Sequence, residues 1–384
     1  MYAAERQKSQ PYLQQVAGPL YEQWYLLHHR MIRIITNHPA IAEDVRSYLY
    51  YAELLADYTY EDATQLPLAI PENLLWQVGT QVYRPIALTC YLFQTRPDEP
   101  FPPPPLEPKP EESLWEEISG VKGPLRSRWK RDGWRLREYQ AYPGVTSRIY
   151  SALHKEDLYA TIYIEDIRQC RSWFLMRFVF YMVLGAMLSY NGYEIIHAGA
   201  IAQNEMAALL IGSPGSGKTT LVLSCLQIGM QHLADDVLFL ARDDELIYTY
   251  AFPEDIGVRT GTLDLLGQHE FMQNLVVDQR EKLFVDVQQH FRSQVIGHAP
   301  IHLLLFVHAK DRDTDFRAEP IAPAQAVSLL VQEYISRQEA QESAVEDIFE
   351  LFVDLVAQAP AYRLWLTPNA RRNAEQVRLL LKPN

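Results

Sequence analysis

The sequence predicts an α/β domain preceded by a small helical domain. Three observations predict it. A glycine-rich stretch, Gly212-Ser213-Pro214-Gly215-Ser216-Gly217-Lys218-Thr219, stands between a compact apolar run (Ala207 to Ile211) and a helical one (Thr220 to Ile228). Strand-like and helix-like runs mix from about residue 113 to the end. Ahead of them, apolar residues recur at helical spacing and then give way to dense proline.

In chain order, Leu20, Trp24, Leu27, Met31 and Ile34 recur at helical spacing, as do Ile41, Val45, Tyr48, Ala52 and Leu55. Pro39, Pro67 and Pro71 punctuate these runs, and a third helix is expected over Gln81 to Phe93 despite Pro85. Residues 1–95 are therefore expected to form a helical domain. His28, His29 and His38 have no Cys or acidic cluster at ligand spacing, so packing or surface roles are expected of them. From Arg96 to Pro110 the chain reads RPDEPFPPPPLEPKP, which excludes helix and sheet and favours polyproline II. Residues 96–112 are expected to be an extended linker, spanning roughly 40 Å at about 3.1 Å per residue.

The α/β domain should then fill residues 113–384. Its first landmark, Pro124 to Tyr139, carries Arg126, Arg128, Lys130, Arg131, Arg135 and Arg137 among Trp129 and Trp134. A solvated strand-loop-strand edge is the plain expectation; as a binding patch it suits an acidic protein or peptide. Alternation over Leu158 to Ile164 marks a strand. Trp173 to Tyr190 is apolar enough to suggest a membrane span, but it is short and Arg177 interrupts it, so a buried helix is expected.

Ile195 to Ala202 should be a strand that turns at Asn204-Glu205 into the strand before the glycine loop. In that loop Gly212, Ser213, Pro214, Gly215, Ser216 and Gly217 bring backbone N–H groups close to a polyphosphate, and the helix beginning at Lys218, Thr219 and Thr220 adds its unpaired amides. Lys218 reaches the terminal phosphates and Thr219 is placed to ligate Mg²⁺. Seventeen residues after Lys218 comes Asp235-Asp236, two carboxylates that can divide metal binding and proton acceptance between them. His197, at a strand end, can hydrogen-bond and orient one of them. Further strands are expected at Val237 to Leu240, Ile301 to Val307 and Tyr362 to Leu366. Helices are expected over Val327–Ile335, Val345–Val356 and Asn369–Leu381.

Composition sets outer limits. A hydrophobic content of 48% and a charged content of 22% over 384 residues are ordinary for a globular protein. A net charge of −13 argues against a general nucleic-acid binder. Cys90, Cys170 and Cys225 lie far apart, with no C-x-x-C pair, and MYAAERQKSQPYLQQ shows no signal peptide. The expectation is a cytoplasmic protein without a membrane or nucleic-acid partner.

Ile196-His197-Ala198-Gly199-Ala200, then GSPGSGKTT, then Leu233-Ala234-Asp235-Asp236 resembles the core of the HPr kinase/phosphorylase family, whose fold is related to phosphoenolpyruvate carboxykinase. The resemblance is closest over residues 195–240. It implies a kinase that uses ATP or another nucleotide with Mg²⁺ and phosphorylates a serine or threonine of a protein or peptide. It implies Asp235 as general base, Asp236 and Thr219 near the metal, Lys218 on the phosphates and His197 supporting the Asp. Arg259 and Lys282 are weaker candidates for charge stabilisation, because the family's second signature is only echoed in Glu254-Asp255-Ile256-Gly257-Val258-Arg259. The family often forms closed oligomers, which makes a homo-oligomer an expectation here. Two alternatives stay open: a kinase for a small-molecule hydroxyl such as a free amino acid, and a nucleotide-binding regulatory or scaffold protein without kinase activity.

Overall fold

The structure, a computed structural model, describes residues 18–67, 74, 88–94, 116–117, 125–131, 133–139, 147–155, 159–170, 172–252, 255–258, 262, 266, 276–277, 283–308, 315–337 and 345–382. Contacts divide the chain into two units, residues 1–191 and 192–384.

In the first unit the described strands are β1 (Leu20–Leu27), β2 (Arg30–Thr36), β3 (Glu53–Tyr60), β4 (Leu88–Gln94), β5 (Glu116–Glu117), β6 (Leu125–Arg131), β7 (Trp134–Tyr139), β8 (Ile149–His154) and β9 (Tyr159–Ile164). They form one sheet in the order β3-β1-β2-β4-β9-β8-β7-β6-β5, with β4 parallel to β2 and to β9. The expected helix over Leu20 to Ile34 is therefore corrected to a β-hairpin. Leu27 pairs with Arg30 across a two-residue turn, and both turn residues, His28 and His29, take positive φ (52° and 55°). That is a type I′ geometry built without glycine. The helix α1 (Pro39–Tyr48) does form, with Pro39 in its first turn and the His38 side chain accepting from the Ala40 amide at 3.2 Å. Ala52 and Leu55, expected on the same helix, instead lead into and lie on β3. Residues 88–93, expected to end a third helix, are strand; residues 81–87 lie outside the described residues.

The proline-rich segment 96–112 also lies outside the described residues. Strands before it (β4) and after it (β5 to β9) belong to one sheet, so the domain boundary expected there is corrected: the division falls after Asn191. The basic segment forms the expected hairpin, in which Lys130 faces Arg135 and Arg128 faces Arg137. Arg135 is buried, with its guanidinium 5.3 Å from the Tyr190 ring centroid. A buried ion pair sits between β1 and β2. Glu22 accepts from Arg33 Nε at 2.5 Å and from the Tyr60 hydroxyl at 2.7 Å, while Arg33 also donates to the Pro67 carbonyl at 2.7 Å. The apolar segment after β9 is helical: a turn at Ser172–Phe174, a π-helical stretch over Leu175–Phe180, then α2 (Tyr181–Ser189). Among the described residues no helix is long and apolar enough to cross a membrane.

The second unit contains β10 (Glu194–Ile196), β11 (Gly199–Gln203), β12 (Met206–Ile211), α3 (Lys218–Gln227), β13 (Gln231–Ala234), β14 (Leu238–Asp243) and β15 (Leu246–Tyr250). After these come β16 (Ile256–Val258), β17 (Val276–Val277), β18 (Leu283–Val285), α4 (Val287–Phe291), β19 (His298–His308), β20 (Arg317–Pro320), α5 (Pro323–Arg337), α6 (Val345–Gln358), β21 (Ala361–Trp365) and α7 (Ala370–Leu380). The main sheet runs β10-β14-β15-β19-β12-β11-β13, and β21 joins β19 and carries β20. Three strands, β12, β19 and β21, are mutually parallel neighbours, so their C-terminal ends share one edge. Alternation on β12 sets the two faces. Ala207, Leu209 and Ile211 pack with residues of α5 and α6 such as Leu330, Phe352 and Leu355. Ala208 and Leu210 pack with Leu221, Val222 and Cys225 of α3 and with Ala374 and Val377 of α7. A mixed α/β sandwich results, helices covering both faces.

One expected strand, Ile195 to Ala202, is broken at His197-Ala198. β10 pairs with β14, whereas β11 pairs with β12 and β13, so the chain bends where it changes neighbours. The turn at Asn204-Glu205 has positive φ at both residues (50° and 62°) and closes the β11–β12 hairpin. On the opposite side of the sheet, α6 ends in Gln358. Its side-chain amide accepts from Ile247 N at 2.6 Å and donates to Ile247 O at 2.9 Å and Ile301 O at 2.8 Å.

Candidate functional site

The parallel strand β12 ends at Ile211, and the glycine-rich loop carries the chain from there into α3. Gly212 has φ +153°, and a Cβ placed there would lie 2.8 Å from the Val307 carbonyl oxygen and 2.9 Å from Ser216 Oγ. Backbone and loop approach so closely at this point that only glycine fits. The loop is tightened by Ser216 N donating to Ser213 O at 3.1 Å. Gly217, at φ +100°, is the left-handed residue from which α3 starts, and Leu221 N donates back to Gly217 O at 3.0 Å.

Lys218 is 7% exposed and folds its ammonium group back onto the loop. There Nζ donates to the Gly212 carbonyl and, at 3.4 Å, to the Ser213 carbonyl. Ser216 Oγ is buried with no hydrogen-bond partner. A buried ammonium beside an unsatisfied hydroxyl, in a loop that opens onto a helix N-terminus, fits a polyphosphate.

The acidic pair is delivered by β13, which ends at Ala234. Asp235 Oδ2 accepts from Thr219 Oγ1 at 3.2 Å, which joins the first turn of α3 to the end of β13. Asp236 is 59% exposed and its Oδ1 lies 4.0 Å from Nδ1 of His197, itself 34% exposed. Thr219 thus reaches Asp235, and His197 lies near Asp236, while His197 and Asp235 each make further contacts. Sequence reasoning placed Asp236 with Thr219 near a metal, and in this geometry Asp235 is the one Thr219 reaches. Among the described residues no three His, Cys, Asp or Glu side chains cluster as a closed metal site. Mg²⁺ fits such an open arrangement, because it is commonly held by one or two protein ligands together with substrate phosphates and water. Thr219 and one or both Asp residues would hold it.

Two contributors carried no separate signal in the sequence. Gly199, on β11, lets three elements meet: a Cβ there would lie 3.1 Å from Val222 Cγ2 on α3 and 3.2 Å from the Asp235 carbonyl oxygen. Thr262 brings its hydroxyl to 3.1 Å from that of Thr220, beside the start of α3. Gly199 lies within the stretch that carries the family resemblance, but its packing role, like that of Thr262, becomes visible only through its neighbours in space. Pro214 and Gly215 lie in the exposed part of the loop. Arg259 and Lys282 lie outside the described residues. His232, three residues before Asp235, is fully buried on β13, and burial lowers its pKa to about 4. It is a core residue of β13, and burial favours its neutral form.

No protein-family model matches the chain, and no curated protein matches it in sequence. Among solved structures, the Hpr(Ser) kinase/phosphatase from Coxiella burnetii aligns at a TM-score of 0.25 and 11% identity, over 49% of this chain and 99% of that chain. A likeness so low fixes neither fold nor function. The geometry itself defines the second unit: a mixed α/β sandwich in which a glycine loop at a strand end meets an acidic pair and a histidine.

Proposed function

We propose that the protein is a nucleotide-dependent kinase that transfers a phosphoryl group, with Mg²⁺, to a serine or threonine hydroxyl of a protein or peptide. The observation that carries this is the contact between Thr219 and Asp235, 3.2 Å, which brings the acidic pair to the mouth of the glycine loop. A loop that only bound phosphate would need no carboxylates there, since they repel the ligand unless a cation lies between.

The chain's own residues then divide the work. Loop amides and the N-terminal end of α3 hold the β- and γ-phosphates, and Lys218 exchanges its loop carbonyls for phosphate oxygens. Bound Mg²⁺ would supply neutralisation of the phosphate charge. Asp235, with Thr219, would hold the metal. Asp236, exposed and beside His197, accepts the proton of the attacking hydroxyl, and His197 orients it. This exchanges the two Asp roles that the family resemblance implied.

The test is transfer of labelled γ-phosphate from ATP with Mg²⁺ to serine peptides, free serine and cell extract. Wild type, Asp235→Asn and Asp236→Asn are compared. The expected result is a labelled peptide, with transfer falling about 10²–10⁴-fold in Asp236→Asn while ATP affinity holds, since Asn cannot take the proton. Asp235→Asn should raise the Mg²⁺ concentration needed. Label on free serine alone would replace the peptide acceptor by a small molecule. ATP binding with no labelled acceptor in any arm would overturn the kinase assignment in favour of a regulatory nucleotide sensor.

A further inference from the structure

The parallel neighbours β12, β19 and β21 end on one edge, and β12 delivers the glycine loop there. Register places Ile211 opposite Phe306, and Phe306 opposite Arg363. Two residues further along, His308 faces Trp365, which in turn faces Arg317 of β20. His308 and Trp365 therefore stand level with the beginning of the loop. Trp365 is two strand spacings from β12, about 10 Å.

These side chains form a layered group. The Arg317 guanidinium lies 4.1 Å from the Trp365 ring centroid, and the His308 ring lies 6.1 Å from it at 27°, nearly parallel. Arg363 stands 6.0 Å from the same centroid. Its Nε is buried with no hydrogen-bond partner, and Glu319 stands opposite it in register on β20. Arg317 is 49% exposed, and Glu319 Oε1 is 3.5 Å from its Nε. Burial and the neighbouring Arg363 both lower the His308 pKa, which favours a neutral, stackable imidazole. Planar groups stacked at a strand edge, next to a guanidinium with an unused donor, are what a flat heteroaromatic ring with acceptor atoms on its rim requires.

We propose that Trp365, Arg317, Arg363 and His308 form the subsite for the nucleobase of the donor nucleotide. The base adds to the stack on the outer face of the Arg317 guanidinium, and Arg363 donates to the rim of the ring. The inference rests on the loop holding the phosphates of the same molecule, and it accounts for an aromatic and cationic group that the phosphate chemistry does not use.

Calorimetry of the full chain with Mg-ATP and with Mg-tripolyphosphate tests it, because the second probe has the phosphates without the base. Trp365→Ala and Arg317→Gln should weaken ATP binding about tenfold or more and about threefold, respectively, with tripolyphosphate affinity unchanged; Trp365→Phe should keep most of the ATP affinity. ATP affinity unchanged in both Trp365→Ala and Arg317→Gln overturns the subsite, and so do ATP and tripolyphosphate affinities falling in step. If Trp365→Ala does not fold, the exposed Arg317→Gln decides by the same criterion. Wild type binding neither probe would refute the phosphate loop itself, a result distinct from losing the base subsite alone.

Discussion

His232 makes acid stability a test of how β13 is packed. The side chain is fully buried opposite Ile201, on the face covered by α3, and neither ring nitrogen has a hydrogen-bond partner. Desolvation therefore disfavours the imidazolium, and the pKa falls from 6.5 to about 4. The unfolded chain takes up the proton near pH 6.5, the folded chain only near pH 4, so acidification between these values favours unfolding. Stability from this site is complete above pH 6.5 and drains away as the pH falls toward 4. The shift corresponds to a loss of about 2 kcal/mol by pH 5 and about 3 kcal/mol by pH 4. Urea unfolding of wild type and His232→Leu at a series of pH values measures it, and surface carboxylates cancel in the comparison. The stability difference between the two proteins should move by about 2 kcal/mol in favour of His232→Leu between pH 7 and pH 5. Parallel loss of stability in both proteins over that interval would refute the argument that His232 is held neutral by burial.

Two further substitutions probe other parts of the molecule. Gly212→Ala forces a Cβ to 2.8 Å from the Val307 carbonyl, so the loop has to shift. A cost of about 1–3 kcal/mol in urea unfolding and about a tenfold loss of ATP affinity are expected, and wild-type values for both would sink the close-approach argument. Glu22→Ala leaves Arg33 buried without its carboxylate and should lower stability by about 3–5 kcal/mol. The pair Glu22→Leu with Arg33→Met should recover much of that in thermal unfolding; an unchanged melting temperature in Glu22→Ala would show that the pair is not buried as described.

The glycine loop, the strand before it and the helix after it were legible because their signals are local: an apolar run, glycines that free the backbone, then helical spacing. The β-hairpin of β1 and β2 was not. Both strands are buried on both faces, as Trp24, Tyr25, Met31 and Ile32 show, so the alternation that marks a half-exposed strand is absent. What remained were apolar residues every three or four positions, which also fit a helix. The turn gave no warning either, since His28 and His29 take a conformation usually supplied by Asn or Gly. The acidic pair and His197 were legible as candidates from order and interval alone. Which carboxylate meets Thr219 was not, because adjacent residues at a strand end point in different directions and only the fold decides which one faces the helix.

The side chain of Gln358 has a consequence for how the second unit holds together. The β15–β19 ladder stops at Tyr248 and Pro300, and its next step would set Ile247 against Ile301. The pairing ends before that step, which leaves a fork in the ladder at Ile247 and Ile301. The amide of Gln358 fills the fork, bonding both Ile247 N and Ile247 O and also Ile301 O, as the peptide unit of an inserted strand would. The stitch belongs to α6, so that helix cannot peel from the sheet without unpicking the seam between two strand systems. Helix docking and sheet cohesion become one event, and this part of the sheet is bound into the cooperative unit that presents the loop.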